Sequence, residues 1–237
     1  MSIVGSQSNS LEKSRIEIVY SKRLSKAGLY KWSSPSYQYF DSQKKRLLYL
    51  SILYAFGDKI DNLRVLDVGC GNGTFLRTLV EWGAAPDHLM GTEFLEDRID
   101  DAKDKSPQGI AYHLGDLAEL QNASFSLVSS HLVFSSILDN RERKILAKKM
   151  WNLLDKDGWI LIFDFRYNNP SNPDVKKVTK KDLDFWFPSG KRKYFVGILA
   201  PPLARRVIRT NYFVAELLTK LFPFLRSHFI YMVKKSN

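Results

Sequence analysis

The sequence predicts an α/β fold built on a doubly wound, mostly parallel sheet, and three observations carry that expectation. Short apolar runs alternate with longer amphipathic ones from about residue 64 to residue 163. One of these runs ends in a glycine-rich turn, and three in succession end on an acid. Strand–helix alternation of this kind lays parallel strands side by side with helices on both faces. The 237 residues suit one such domain with added segments, and 44% hydrophobic content supports a sizeable core.

Taken in order, residues 1–60 form an N-terminal helical segment. Leu11 to Phe56 reads as helices and a loop, with an aromatic cluster at Tyr30, Trp32, Tyr37, Tyr39 and Phe40. That cluster fits either a core or a lid. Residues 61–237 form the main domain. Arg64–Val68, His88–Thr92, Ile110–Leu114, Ser126–Ser130 and Trp159–Phe163 read as strands. Thr74–Trp82, Glu96–Lys105 and Arg141–Leu154 read as helices, the last with its end marked by Asp157-Gly158. Beyond a loop at 168–173, Lys180–Phe187 reads as a helix and Lys193–Leu199 and Ser227–Lys234 as strands, separated by an insertion at 200–226.

Composition narrows the function. A single cysteine, Cys70, excludes an intramolecular disulfide and argues against a cysteine-built metal site. The polar stretch Met1–Ser10 lacks the apolar core of a signal peptide. The longest apolar run near the C-terminus, Tyr194–Ala204, is broken by Pro201 and Pro202, so a cytoplasmic location is expected. Net charge is +11, unevenly spread: residues 61–140 hold 5 Lys and Arg against 13 Asp and Glu, a net of −8, which leaves +19 on the flanks. Such flanks are either solvated lysines or a basic rim for an anion, whether a diphosphate-linked sugar, an acidic membrane surface or a nucleic acid.

The segment Val65-Leu66-Asp67-Val68-Gly69-Cys70-Gly71-Asn72-Gly73-Thr74 is a strand, a glycine-rich turn and the start of a helix. Glycine lets a ligand approach the backbone closely. Asp67 ends the strand, where an unpaired carboxylate would be costly without a polar task. Glu93 ends the next strand twenty residues after Gly73, where an acid that holds a ribose is expected. Asp116 follows the third strand through Gly115, placed to accept from an adenine amino group. A nicotinamide-binding fingerprint would require glycine at position 74, which is threonine.

These residues resemble the class I, Rossmann-like S-adenosylmethionine-dependent methyltransferases, with Asp67, Gly69, Gly71 and Gly73 matching that family's first motif. The resemblance covers roughly Asn62–Phe165. It implies S-adenosylmethionine as cofactor, with Glu93 on the ribose hydroxyls, Asp116 and Leu117 at the adenine, and Cys70 and Phe94 beside them. The segments 133–139, 164–170 and 199–205 are similar to methyltransferases of bacterial polysaccharide and glycan biosynthesis. That likeness implies O-methylation of a sugar hydroxyl.

Methyl transfer to a hydroxyl benefits from positioning and from a general base. His131 and Asp164, at the carboxyl ends of the fourth and fifth strands, are the candidates, on the edge where such sheets bind ligands. Arg166 and Tyr167 could hold acceptor hydroxyls or phosphates, or simply anchor their loop. No spacing demands a metal. The insertion mixes apolar residues with Arg205, Arg206, Arg209, Lys220 and Arg226; it suits a cover for the acceptor pocket, a dimer contact or a peripheral membrane contact at the inner membrane surface. An RNA or small-molecule methyltransferase and a non-catalytic donor-binding protein are the alternatives; nucleic acid is not expected, because no RNA-binding module is visible.

Overall fold

The computed structural model describes residues 12, 14–19, 33–120, 124–170, 172–187, 190–209 and 211–236. Its core is a seven-stranded sheet of order β3-β2-β1-β4-β5-β7-β6. The strands are β1 (Val65–Val68), β2 (Leu89–Glu93), β3 (Ala111–Leu114), β4 (Phe125–His131), β5 (Leu154–Phe165), β6 (Arg192–Leu199) and β7 (Arg226–Lys234). β1 to β5 pair in parallel, and β7 runs antiparallel between β5 and β6.

Side-chain alternation sorts the central strands onto two cores. Leu66, Ile160, Ile162, Phe229 and Tyr231 face one side. There they meet α5 (Asn140–Asn152) through Ala147 and Met150, and α6 (Lys180–Trp186) through Leu183. Val65, Leu161, Phe163, Ile230 and Met232 face the other. There they meet α1 (Pro35–Phe56) through Leu48 and Ile52, and α2 (Thr74–Glu81) through Phe75, Leu76 and Leu79. Further helices are α3 (Glu96–Lys105), the single turn α4 (Val133–Ser136), α7 (Pro201–Val207) and α8 (Tyr212–Leu221). Asp139 caps α5 by accepting from the amides of Arg141 at 2.6 Å and Glu142 at 3.3 Å, a 13-residue helix set by one side chain at its start.

The expected strands and helices therefore recur, with one correction. Asp157-Gly158 does not end the helix over 141–154. That helix stops at Asn152, and β5 has already begun at Leu154. Asp157 takes φ +66 inside the strand, and the pairing jumps from Phe125↔Leu154 to Leu127↔Trp159. The turn residues mark a bulge, which bends the strand without terminating it. Of the N-terminal expectations, 14–19 is helical and 35–56 is one continuous helix; Tyr30 and Trp32 lie outside the described residues.

Residues 200–226 dock on α1. Tyr39 Oη shares a hydrogen bond with Thr219 Oγ1 at 2.9 Å and donates to Ala215 O at 3.3 Å, within a third small core with Leu199, Ala204 and Ile208.

Candidate active site

A cavity of about 450 Å³ opens at the carboxyl ends of β1, β2 and β4. Sheets of this kind place ligands along that edge. Its wall combines the turn 69–72 with Glu93, Phe94, Asp116, Leu117 and His131, and adds Glu12, Ile16, Glu17 and Lys44 from the N-terminal segment.

The glycine turn is shaped by steric exclusion. Gly69 has φ +67, and a Cβ there would meet Val133 Cγ2 at 2.5 Å; Gly73 has φ +73, and a Cβ would strike Tyr112 Oη. Only glycine satisfies both the left-handed backbone and the space. Cys70, buried beneath the turn, has its thiol pushed well up by burial, so it stays protonated and serves as packing.

Glu93 closes β2 with its carboxylate accepting from Gly71 N at 3.1 Å and Phe94 N at 2.7 Å, and with Arg98 Nη1 at 3.5 Å. The glycine turn and the acid are thereby fixed to one another, and the carboxylate faces the cavity. Asp116 Oδ1 accepts from Ala118 N at 2.9 Å and Lys149 Nζ at 2.6 Å, at the far end of the same cavity from His131. Leu117 is buried against that end.

Asp67 lies behind the lining, only 1% exposed, and accepts from Ser129 Oγ at 2.8 Å. Burial is the largest influence and pushes its carboxyl up to about 7; the Ser129 hydrogen bond and the Lys44 ammonium pull the other way, and Glu93 adds to the rise. A cation arriving at the turn would favour its ionised form.

His131 is held between Phe75 (ring centroids 4.5 Å apart) and Phe163 (6.0 Å). Its Nε2 lies 3.7 Å from Asp67 Oδ1, and neither ring nitrogen makes a hydrogen bond to the described residues. Burial first, and the Lys44 charge second, push its pKa well below the ordinary value, so the ring is neutral. The next residue, Leu132, takes φ +62, and its carbonyl accepts from Ser136 Oγ at 2.8 Å. Such strain in a non-glycine residue persists only where the surroundings enforce it. It turns the chain sharply after His131.

The other acceptor-side candidates lie elsewhere. Asp164 is fully buried and outside the cavity wall; its carboxylate accepts from Ser135 N at 3.0 Å and Phe165 N at 2.8 Å. Burial raises it to about 6. It clasps the turn that follows His131, together with the buried Arg143, which donates to Ile137 O at 2.7 Å and Lys176 O at 2.9 Å. Arg166 donates to Arg226 O at 2.8 Å and Pro223 O at 3.2 Å, with its guanidinium over the half-exposed Tyr167 ring, which is the loop-anchoring geometry. No described residue of 200–226 lines the cavity, so the expected pocket cover is not placed over it.

Lys44 gave no signal in the sequence. On α1 it looks like a solvated lysine, yet it lines the cavity with its ammonium 5.1 Å from the centre of the Phe163 ring. Burial lowers its pKa, against the pull of Asp67 and Asp41. Glu12, Ile16 and Glu17 line the cavity's edge: Glu12 accepts from Leu138 N at 2.7 Å, and Arg15 donates to Ser136 O.

The wall fits S-adenosylmethionine on this structure's own terms. It offers a glycine turn with left-handed backbone at Gly69 and Gly71, acids at separated points for hydroxyl and amine donors, and an imidazole with no hydrogen-bond partner among the described residues, which needs a polar neighbour.

Residues 65–158 match the family described as a methyltransferase domain. No curated protein matches the chain. Among solved structures, an S-adenosylmethionine-dependent methyltransferase from Archaeoglobus fulgidus aligns at TM-score 0.56 and 21% identity, over 80% of this chain and 94% of that one. Magnesium protoporphyrin IX methyltransferase from Synechocystis PCC 6803 with bound S-adenosylhomocysteine aligns at TM-score 0.66 and 12% identity, over 95% and 100%. Phosphoethanolamine N-methyltransferase 1 from Haemonchus contortus aligns at TM-score 0.61 and 18% identity, over 100% of this chain and 52% of that one. At these identities the likeness is one of fold, and the family match is confined to one stretch: residues 65–158 match a methyltransferase domain, on a fold shared with S-adenosylmethionine-dependent methyltransferases.

Proposed function

We propose that this protein methylates a hydroxyl oxygen, with a sugar of a glycan or glycan precursor as the acceptor. The observation that carries this reading is one cavity that joins the Glu93–glycine turn to a neutral, unpartnered His131. S-adenosylmethionine, when bound, supplies an electrophilic methyl carbon. Glu93 accepts the ribose hydroxyls, and Asp116 and Leu117 receive the adenine. His131 takes up the proton that the acceptor hydroxyl gives up. Its neutral form is the base form, and Asp67 at 3.7 Å from Nε2 stabilises the imidazolium that results. The sugar reading is supported by the likeness of segments 133–139, 164–170 and 199–205 to glycan-pathway methyltransferases, and by basic flanks that suit a phosphate-linked sugar.

Incubation with methyl-labelled donor and nucleotide sugars, glycans or RNA tests this. Label is expected on a sugar; label on RNA, or donor binding with no transfer to any acceptor, would contradict it. His131→Ala should cut turnover about 10²–10⁴-fold with donor affinity retained. Near-native turnover in that variant would remove His131 as the base.

A further inference from the structure

The segment 200–226 has one face with no partner among the described residues. α8 turns Ala215, Leu218 and Thr219 inward onto α1, where Tyr39 holds them. Its opposite side exposes Phe213 (71%), Val214, Leu217 and Leu221 (61%), spaced so that they share one helical stripe. The stripe continues onto the 3₁₀ turn Pro223–Leu225, where exposed Phe222 and Phe224 pack edge to face with ring centres 5.7 Å apart. Contiguous apolar surface of this kind is uncommon on a chain that works alone in water.

The exposed charges of the segment share one sign. Arg205, Arg206, Arg209 and Lys220 are exposed, and Arg226 is tied down by its bonds to Thr219 O and Lys220 O at the end of α8. The single acid of the segment, Glu216, is turned to α1 and accepts from Gln43 Nε2. An apolar stripe on a segment whose exposed charges are all cations, its one acid turned toward α1, matches a helix lying in an anionic lipid interface. A second copy of the chain would bring these cations against one another. No described residue of this segment lines the cavity. Among the described residues no helix is long and apolar enough to cross a membrane, so the fitting mode is contact with one surface.

We infer that the outer face of α8 and the Phe222–Phe224 ledge dock this protein on an anionic membrane surface. The docking helix shares α1 with the cavity, since Tyr39 grips α8 and Lys44 of the same helix reaches the cavity wall. The inference is independent of which acceptor is methylated.

Co-sedimentation of the full chain with phosphatidylglycerol–phosphatidylcholine vesicles, against vesicles of phosphatidylcholine alone, tests it. Binding is expected to the anionic vesicles only and to weaken with salt. The double variant Phe213→Ser/Leu221→Ser should lose roughly tenfold or more of that binding, with an unchanged melting temperature because both side chains are solvent-exposed. Phe224→Trp adds a sixth tryptophan to the five native ones and gives a second readout: the fluorescence it adds over the native chain should be open to an aqueous quencher without lipid and shielded when anionic vesicles are added. Absence of vesicle binding, equal binding by the double variant, or a Trp already shielded without lipid would each overturn the proposal. A concentration-dependent dimer abolished by the double variant, without vesicle binding, would assign the face to a second copy instead.

Discussion

The half of the molecule built on β1 to β4 and the half built on α1, β6, β7 and residues 200–226 are assembled in different ways. In the first, each functional group sits at or just past a strand end, within a continuous stretch from Asp67 to His131. In the second, the contacts that matter join residues far apart in the chain, such as Tyr39 with Thr219 and Arg166 with Arg226. The first half therefore writes its chemistry into local pattern, and the second hides it in tertiary placement. The family match follows the same divide, ending at residue 158.

Asp164 and His131 sharpen that contrast. Both occupy strand ends, but one carboxylate is taken up by amides while the imidazole has no hydrogen-bond partner among the described residues. Asp164→Ala should lower stability by about 1–3 kcal/mol through the stranded amides of Ser135 and Phe165. Thermal or denaturant unfolding measures this, and turnover per folded molecule should remain within a few-fold. Turnover falling as steeply as in His131→Ala, with stability intact, would move Asp164 into the chemistry.

A smaller effect concerns pH. Asp67 is pushed up to about 7 by burial, so its ionisation is resisted in the empty protein. A raised carboxyl stabilises the fold below its ordinary range near 4, and that contribution fades as pH rises through 7. A cationic donor has the opposite preference, since it favours the ionised carboxylate. Donor affinity should accordingly rise as pH passes from about 6 to 8, and Asp67→Asn should flatten the profile. A pH-independent affinity in the native chain would separate Asp67 from donor binding.

The smallest expected change is electrostatic. Lys44 helps depress both His131 and His228, the latter held at about 3 chiefly by burial. Lys44→Met should raise the pKa of both rings by NMR titration; no movement would place the ammonium elsewhere.

Much of this was legible in the sequence. The short apolar runs located all seven strands, parallel and antiparallel alike, because a strand that packs on a core reads as a short apolar segment bounded by turn residues. The glycine turn and Glu93 were legible because close backbone approach demands particular residues at particular positions. β5 was foreshortened because Leu154-Asp155-Lys156-Asp157-Gly158 is polar and turn-like, and only a bulge reconciles it with pairing to β4. Lys44 was illegible because nothing local distinguishes a lysine turned toward Phe163 from one turned to water. Asp164 and Asp67 looked alike because sequence shows a strand end without showing which amides surround it.

The central claim is that Glu93 and the glycine turn hold a methyl donor. Isothermal titration of the native chain and of Glu93→Ala with S-adenosylhomocysteine tests it most directly, with NAD as the competing ligand. The structure predicts binding of S-adenosylhomocysteine, a loss of about 1–3 kcal/mol in Glu93→Ala, and no heat from NAD. Binding of NAD, or equal affinity of the native and Glu93→Ala chains for S-adenosylhomocysteine, would contradict it.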